Sequence, residues 1–301
     1  MRSKIMNAVL KTALAAGALF GAGASFAAEV SLRAVPDNNT AAGGAVVWRF
    51  VCDAGNAPDT CIQTGEEAPT IRVSSVESLT INLANDLPVP VSIMIPGQLG
   101  DTSIRRQADG RVVTFAQETG PGGTGVYTWG TPPTPLKPGT YLFQSGTAPQ
   151  LQVPMGLFGA LVVTDPGYPV GVAVDNETLL LFSEIDLVQN GRVAAAASGG
   201  AQPTEACVSM NDYEASGMTA IGYPCTIDYD PTYYLVNGES APNLTDLTAN
   251  STVHLRMLNA GLRTHTPAFV NLEMSIFAEE GNIYPGQPLQ HSQAMLAAGK
   301  T

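Results

Sequence analysis

Two residue types that can hold a metal or act as nucleophiles are scarce enough in this sequence to be read one by one: three histidines and four cysteines. The cysteines fall into local couples, Cys52 with Cys61 and Cys207 with Cys225, each set among Gly, Pro, Asn and Asp. Four cysteines allow three pairings, and the local one is expected because each bridge then staples a single loop. No histidine stands at ligand spacing beside either couple, so disulfides are favoured over thiolate metal ligands. His254 alternates with Val253 and Leu255 in a strand pattern and is expected to face solvent. His265, in Arg263-Thr264-His265-Thr266-Pro267, reads as a hydrogen-bonded turn residue or, more sharply, as a metal ligand. His291 has no partner in sequence, and the three histidines are too widely spaced for a local metal motif, although folding can gather two of them.

Other chemistry is weaker. Met94 stands in an apolar run, where a lone thioether is ordinarily core filling. Gly120 to Gly125 is glycine-rich enough to cradle phosphate, yet no helix pattern follows it, and a hairpin is expected instead. Ser145 lacks the G-x-S-x-G setting of a hydrolase nucleophile. Asp53, Asp59, Glu66 and Glu67 cluster near the first cysteine couple, as a calcium loop or simply as surface acids. No catalytic residue is assigned.

The elements that must position these residues are almost entirely strands. Short β-branched and aromatic runs recur between Gly, Pro and Asn turns, and Leu79, Ile81 and Leu83 alternate with Thr80 and Asn82 as in a strand with one buried face. The pattern predicts an all-β chain of two Greek-key sandwiches, the second unfinished. The expected order is a signal peptide (1–27), an N-terminal extension and first strand with its disulfide loop (28–65), a first domain (66–166), a linker (167–177) and a second domain (178–301), shortened at its C-terminal side. Ala194 to Ala201 is expected to be an exposed loop. The first core is predicted at Trp48, Ile71, Leu79, Ile81, Leu83, Phe143, Leu157, Phe158 and Leu161. The second is predicted at Leu180, Phe182, Leu235, Leu255, Met257, Leu258 and Ile276. Gly139 and Gly159 are expected in turn or close-packing positions.

The chain carries 14 Lys and Arg against 26 Asp and Glu, a formal charge of −12. Such a surface repels phosphate backbones, which sets nucleic acid aside. Arg2 and Lys4, the apolar run Ala8 to Phe20 and the small residues ending at Ala27 form a secretory signal pattern, so a periplasmic or secreted location is expected. No later segment is long and apolar enough to span a bilayer.

Three stretches resemble the multicopper oxidase family, whose members are built from plastocyanin-like (cupredoxin) domains. The first is Pro69-Thr70-Ile71-Arg72-Val73 with Ser78 to Leu83 and Asn85-Asp86-Leu87-Pro88; the second is Lys137 to Gly146 continuing through Gly156 to Val163. The third is Tyr234-Leu235-Val236-Asn237-Gly238, Val253 to Gly261 and Ala278-Glu279-Glu280-Gly281-Asn282. The resemblance implies copper, and it implies the two N-terminal domains of a long member, of the manganese-oxidase type. The family's two His-x-His motifs would fall on Met94 and Pro96 and on Gln144 and Gly146, and none of these is histidine. The candidate metal residues that the resemblance implies are Met94, whose thioether could hold Cu(I), and His265, which stands close to where the ligands of the family's domains begin. Three histidines cannot furnish a trinuclear cluster. The chain is thus expected to be an exported structural or binding half of a copper oxidase, binding no copper in these two domains and inactive alone. The alternative is a working copper-binding oxidoreductase, acting on phenols or metal ions, that completes its copper site with further domains or subunits. Expected partners are further cupredoxin domains or subunits, or a second copy of the chain.

Overall fold

In the computed structural model, residues 27–100, 104–166, 174–201, 206–242 and 249–301 are described. The signal segment before Ala27 and most of the expected linker lie outside them. In chain order the first strands are β1 (Ala27–Asn39), β2 (Ala45–Cys52), β3 (Cys61–Ile62), β4 (Thr70–Ser74), β5 (Ser78–Asn85), β6 (Arg105–Arg106), β7 (Val112–Thr114), β8 (Thr124–Trp129), β9 (Gly139–Gln144) and β10 (Phe158–Thr164). Then come β11 (Asn176–Ile185), β12 (Tyr233–Val236) and β13 (Val253–Asn259), followed by the short β14 (Met274–Ile276), β15 (Ala278–Glu279), β16 (Asn282–Ile283) and β17 (Leu289–His291). The helices are α1 (Pro149–Gln152), α2 (Leu187–Ser198) and α3 (Met210–Ala215).

Alternation drives the first sandwich. One sheet runs β2-β1-β5-β8 and the other β3-β4-β10-β9. Every second residue of β5, Leu79, Ile81 and Leu83, is buried, as are Ile71 and Val73 of β4 and Leu161 and Val163 of β10; all join one core with Trp48, Phe143 and Leu157. The stretch expected as an N-terminal extension supplies two full strands of this sandwich, because Val30, Leu32 and Ala34 of β1 alternate into the same core. Gly159 is obligatory: a Cβ there would lie 2.2 Å from Phe143 Cζ and 2.6 Å from the Pro69 carbonyl oxygen. Gly139 has φ 140°, where L side chains are strained. The two expected disulfides are present, Cys52–Cys61 and Cys207–Cys225. Gly122, at φ 68°, turns the chain into β8.

The third sheet, β12-β11-β13, packs back on the first sandwich. Leu181 and Leu258 meet Leu142 and Ala160, the outward face of the β10-β9 pair, and half-buried Phe158 joins them on that side rather than in the first core. Three expectations are corrected here. Ala194 to Ala201 is no exposed loop: Asp186 caps α2 by accepting from Val188 N and Gln189 N, both at 2.9 Å, and Val193, Ala196 and Ala197 enter the first core. Of the predicted second core, Leu180, Leu235 and Leu258 are buried, whereas Phe182, Leu255, Met257 and Ile276 are only half-buried. His254 and Arg256 sit on the buried face of β13 with Leu258, so the expected solvent-facing His254 is wrong by one strand position.

Candidate functional site

The segments onto which the family's copper ligands would fall do come together. Met94 N donates to the Gln144 oxygen at 2.8 Å and Gln144 N to the Met94 oxygen at 2.9 Å, an isolated antiparallel bridge between the two motif segments. A Cβ on Gly146 would stand 3.1 Å from Ser92 Oγ and 3.4 Å from Met94 Cγ. Pro96, the fourth position, is exposed beside Gly97, whose φ of 89° turns the chain under the Tyr141 ring. The scaffold of a ligand cluster is therefore assembled, but Pro96 and Gly146 offer no donor, Gln144 offers a carboxamide and Met94 a thioether.

The interior next to these positions is filled by neutral hydroxyls bonded to one another. Thr147 Oγ1 donates to Ser92 Oγ at 2.9 Å, Ser145 Oγ to Gln152 Oε1 at 2.5 Å, and Gln152 Nε2 to the Pro90 oxygen at 2.8 Å. Copper in this fold wants imidazole and thiolate. The first is absent here, and the second is locked in disulfides. These residues do not fit copper.

The histidines are dispersed. Glu184, brought into the interior by β11, has a fully buried side chain. Its Oε1 accepts from His265 Nε2 at 3.0 Å and from Arg263 N at 2.9 Å; its Oε2 accepts from Leu262 N at 3.0 Å and Tyr229 Oη at 3.1 Å. The carboxylate thus fastens the turn that follows β13. A Cβ on Gly261 would stand 2.6 Å from Glu184 Oε1, which explains the glycine. Burial first, and then the Glu184 charge, hold the Tyr229 hydroxyl well above its ordinary pKa. His265 stacks on Phe182 at 5.2 Å and meets Tyr234 edge-on at 6.1 Å. The Nδ1 side of the ring is not used in this contact, so it could offer one metal ligand. Among the described residues no group of three or more His, Cys, Asp or Glu stands ready to share it.

His254 lies in an ionic cluster between the layers. Arg256 Nη2 is 2.6 Å from Glu177 Oε2 and its Nη1 donates to Thr140 Oγ1 at 2.7 Å; Arg72 Nη1 is 2.7 Å from Glu177 Oε1. His254 Nδ1 is 3.7 Å from Glu177. Burial, reinforced by Arg256, pushes the His254 pKa down to about 4, against the pull of Glu177. Glu177 itself is held below the ordinary carboxylate range: burial, the largest influence, opposes this, but hydrogen bonds and charge from Arg256 and Arg72 together outweigh it. His291 is exposed on β17 opposite Met274. Glu66, one of the acids read as a calcium loop, instead takes Arg49 at 2.9 Å and Thr40.

Glu184, Tyr229, Glu177 and Arg256 were not singled out by sequence reasoning. Their signal was a charge inside an apolar run, as in Leu181-Phe182-Ser183-Glu184-Ile185. Beside β13 a cleft of about 1310 Å³ opens, lined by Leu255, Met257, Met274, Ile276 and Phe277 among others.

Residues 56–167 match a family model described as multicopper oxidase. This chain resembles the multicopper oxidases. Among solved structures, the blue copper oxidase of Nitrosomonas europaea aligns over 90% of this chain and 72% of its own, at TM-score 0.58 and 18% identity. Fet3p, a multicopper oxidase that functions in iron import, aligns over 90% of this chain but 44% of its own, at TM-score 0.60 and 19% identity. The laccase of Botrytis aclada aligns over 92% and 46%, at TM-score 0.57 and 16% identity. This chain thus spans less than half the length of the last two. At such identities the likeness is one of fold, the all-β cupredoxin sandwich. No curated protein matches the chain. Among the described residues no helix is long and apolar enough to cross a membrane.

Proposed function

We propose that this chain is an exported structural and binding half of a multicopper-oxidase-like assembly, and that it binds no copper in its own two domains. The observation that carries the reading is the Met94–Gln144 bridge with Gly146 packed against it. The ligand scaffold is intact while its donors are a thioether, a carboxamide and two residues with no donor at all. The Ala-rich leader and the two disulfides support an oxidising compartment. Copper chemistry, such as oxidation of phenols or of metal ions of the Mn(II) kind, then belongs to further cupredoxin domains or subunits. Cu(II) loading of the purified chain tests this: no intense band at about 600 nm and no laccase activity are expected, and a blue protein refutes the reading.

The second reading is a copper oxidoreductase that completes its site across subunits, with His265 as the candidate ligand; the ring held in place by Glu184 and Phe182 favours it. It requires stoichiometric copper that is lost in His265→Ala.

A further inference from the structure

We propose that the outer edge of β13 is an acceptor for one antiparallel β-strand, supplied by a separate cupredoxin-like domain, with apolar residues at alternate positions and basic or neutral residues between them. The inference deepens the reading of this chain as half of an assembly and rests on it.

The molecule's own sheets supply the first argument. In β2-β1-β5-β8, β1 is antiparallel to β2 and parallel to β5, and β5 is antiparallel to β8. In β3-β4-β10-β9 the sequence of directions is the same: antiparallel, parallel, antiparallel. The third sheet repeats the first two steps, β12 antiparallel to β11 and β11 parallel to β13. The fourth place, held by β8 and β9 in the other sheets, has no strand among the described residues; Gly299 and Lys300 bond to its Asn259 end alone.

The edge is chemically open along Val253–Met257 and closed at Asn259, whose O accepts from Gly299 N at 2.9 Å. Ala260 N turns inward to Phe182 O, whereas Asn259 N turns outward to Lys300 O. Backbone polarity alternates along a strand, so Met257, Leu255 and Val253 present their N–H and C=O groups outward as Asn259 does. Such unpaired groups are a template for another strand. The side chains of Leu255 and Met257 meanwhile face the 1310 Å³ cleft, so an incoming strand would gain hydrogen bonds and apolar cover together. Leu272 at 64% and Met295 at 66% exposure extend the apolar surface around it.

Charge selects the occupant. Glu273 and Glu280 are exposed at the cleft, while the cations lining it are already engaged, Lys300 by Glu279 and Arg256 by Glu177. With a formal charge of −12, a second copy of the chain is a poor guest.

The test uses the whole purified chain and labelled synthetic peptides of about seven residues, a typical strand length. One peptide alternates Val or Leu with Lys, a second replaces Lys by Glu, and a third carries a central Pro that cannot join a ladder. Fluorescence anisotropy and hydrogen exchange are read together. The basic peptide should bind at least about tenfold more tightly than the other two and slow exchange at Leu255 and Met257 about tenfold or more. Leu255→Glu, folded by circular dichroism, should weaken that binding. Equal binding of the Pro peptide, binding of none, edge amides already protected in the free chain, or dimerisation by light scattering would each overturn the proposal. The copper measurement above is independent of all these outcomes, so a failure here leaves the parent reading to be decided by copper alone.

Discussion

Replacing Glu184 with alanine removes the acceptor for four donors at once: His265 Nε2, Leu262 N, Arg263 N and Tyr229 Oη. His265 and Leu262 can turn to water, since the first side chain is 15% exposed and Leu262 is 39% exposed. Arg263 is exposed as well, whereas Tyr229, at 7% exposure, has no such outlet. An orphaned buried donor costs about 1–3 kcal/mol, so Glu184→Ala should destabilise the chain by about 1–3 kcal/mol through Tyr229. Gly261→Ala places a methyl 2.6 Å from Glu184 Oε1 and should cost about 1–3 kcal/mol. Because that cost comes from the carboxylate, it should shrink by more than about 1 kcal/mol in the Glu184→Ala background, a coupling a double-mutant cycle measures. Urea unfolding followed by circular dichroism gives all four stabilities. Additive penalties, or a Glu184→Ala effect below about 1 kcal/mol, would refute the assignment of Glu184 as the clamp of this turn.

Two further outcomes follow from packing and charge. His254 is neutral when folded, with its pKa pushed down to about 4 from the ordinary 6.5, so the unfolded chain takes the proton first as pH falls. The resulting stability is whole above pH 6.5 and is lost towards pH 4; allowing for screening by water in the adjoining cleft it amounts to about 1–3 kcal/mol, and His254→Gln should flatten that part of the urea-midpoint profile. Gly159→Ala forces a methyl into the Phe143 ring and the Pro69 carbonyl, so a loss of at least about 2 kcal/mol is expected by thermal or urea unfolding, and a neutral effect would contradict the packing.

Much of the fold was legible because its signal is local. Leu79, Ile81 and Leu83 announce a one-sided strand, and each cysteine couple brackets its own loop. The same alternation in Val30, Leu32 and Ala34 was passed over, and it turned an apparent extension into a strand of the first sandwich. The misreadings share a cause, burial supplied by a distant partner. His254 and Arg256 look like a solvated face until Glu177 and Thr140 meet them from other strands. The Ala-rich run is bland as a sequence, but as α2 it needs only small side chains to lie against the first core. The empty ligand positions were readable residue by residue, whereas the Glu184 clamp was not, since its four donors come from two segments, Tyr229 and 262–265, both far from Glu184 in sequence.

The central claim is that the ligand scaffold survives without its donors, and copper content tests it most directly. The chain should be purified, saturated with Cu(II), passed through a desalting column and assayed for copper by elemental analysis, alongside its absorption at about 600 nm. The account predicts copper far below one ion per chain and no blue band. One or more tightly held ions per chain with that band would contradict it.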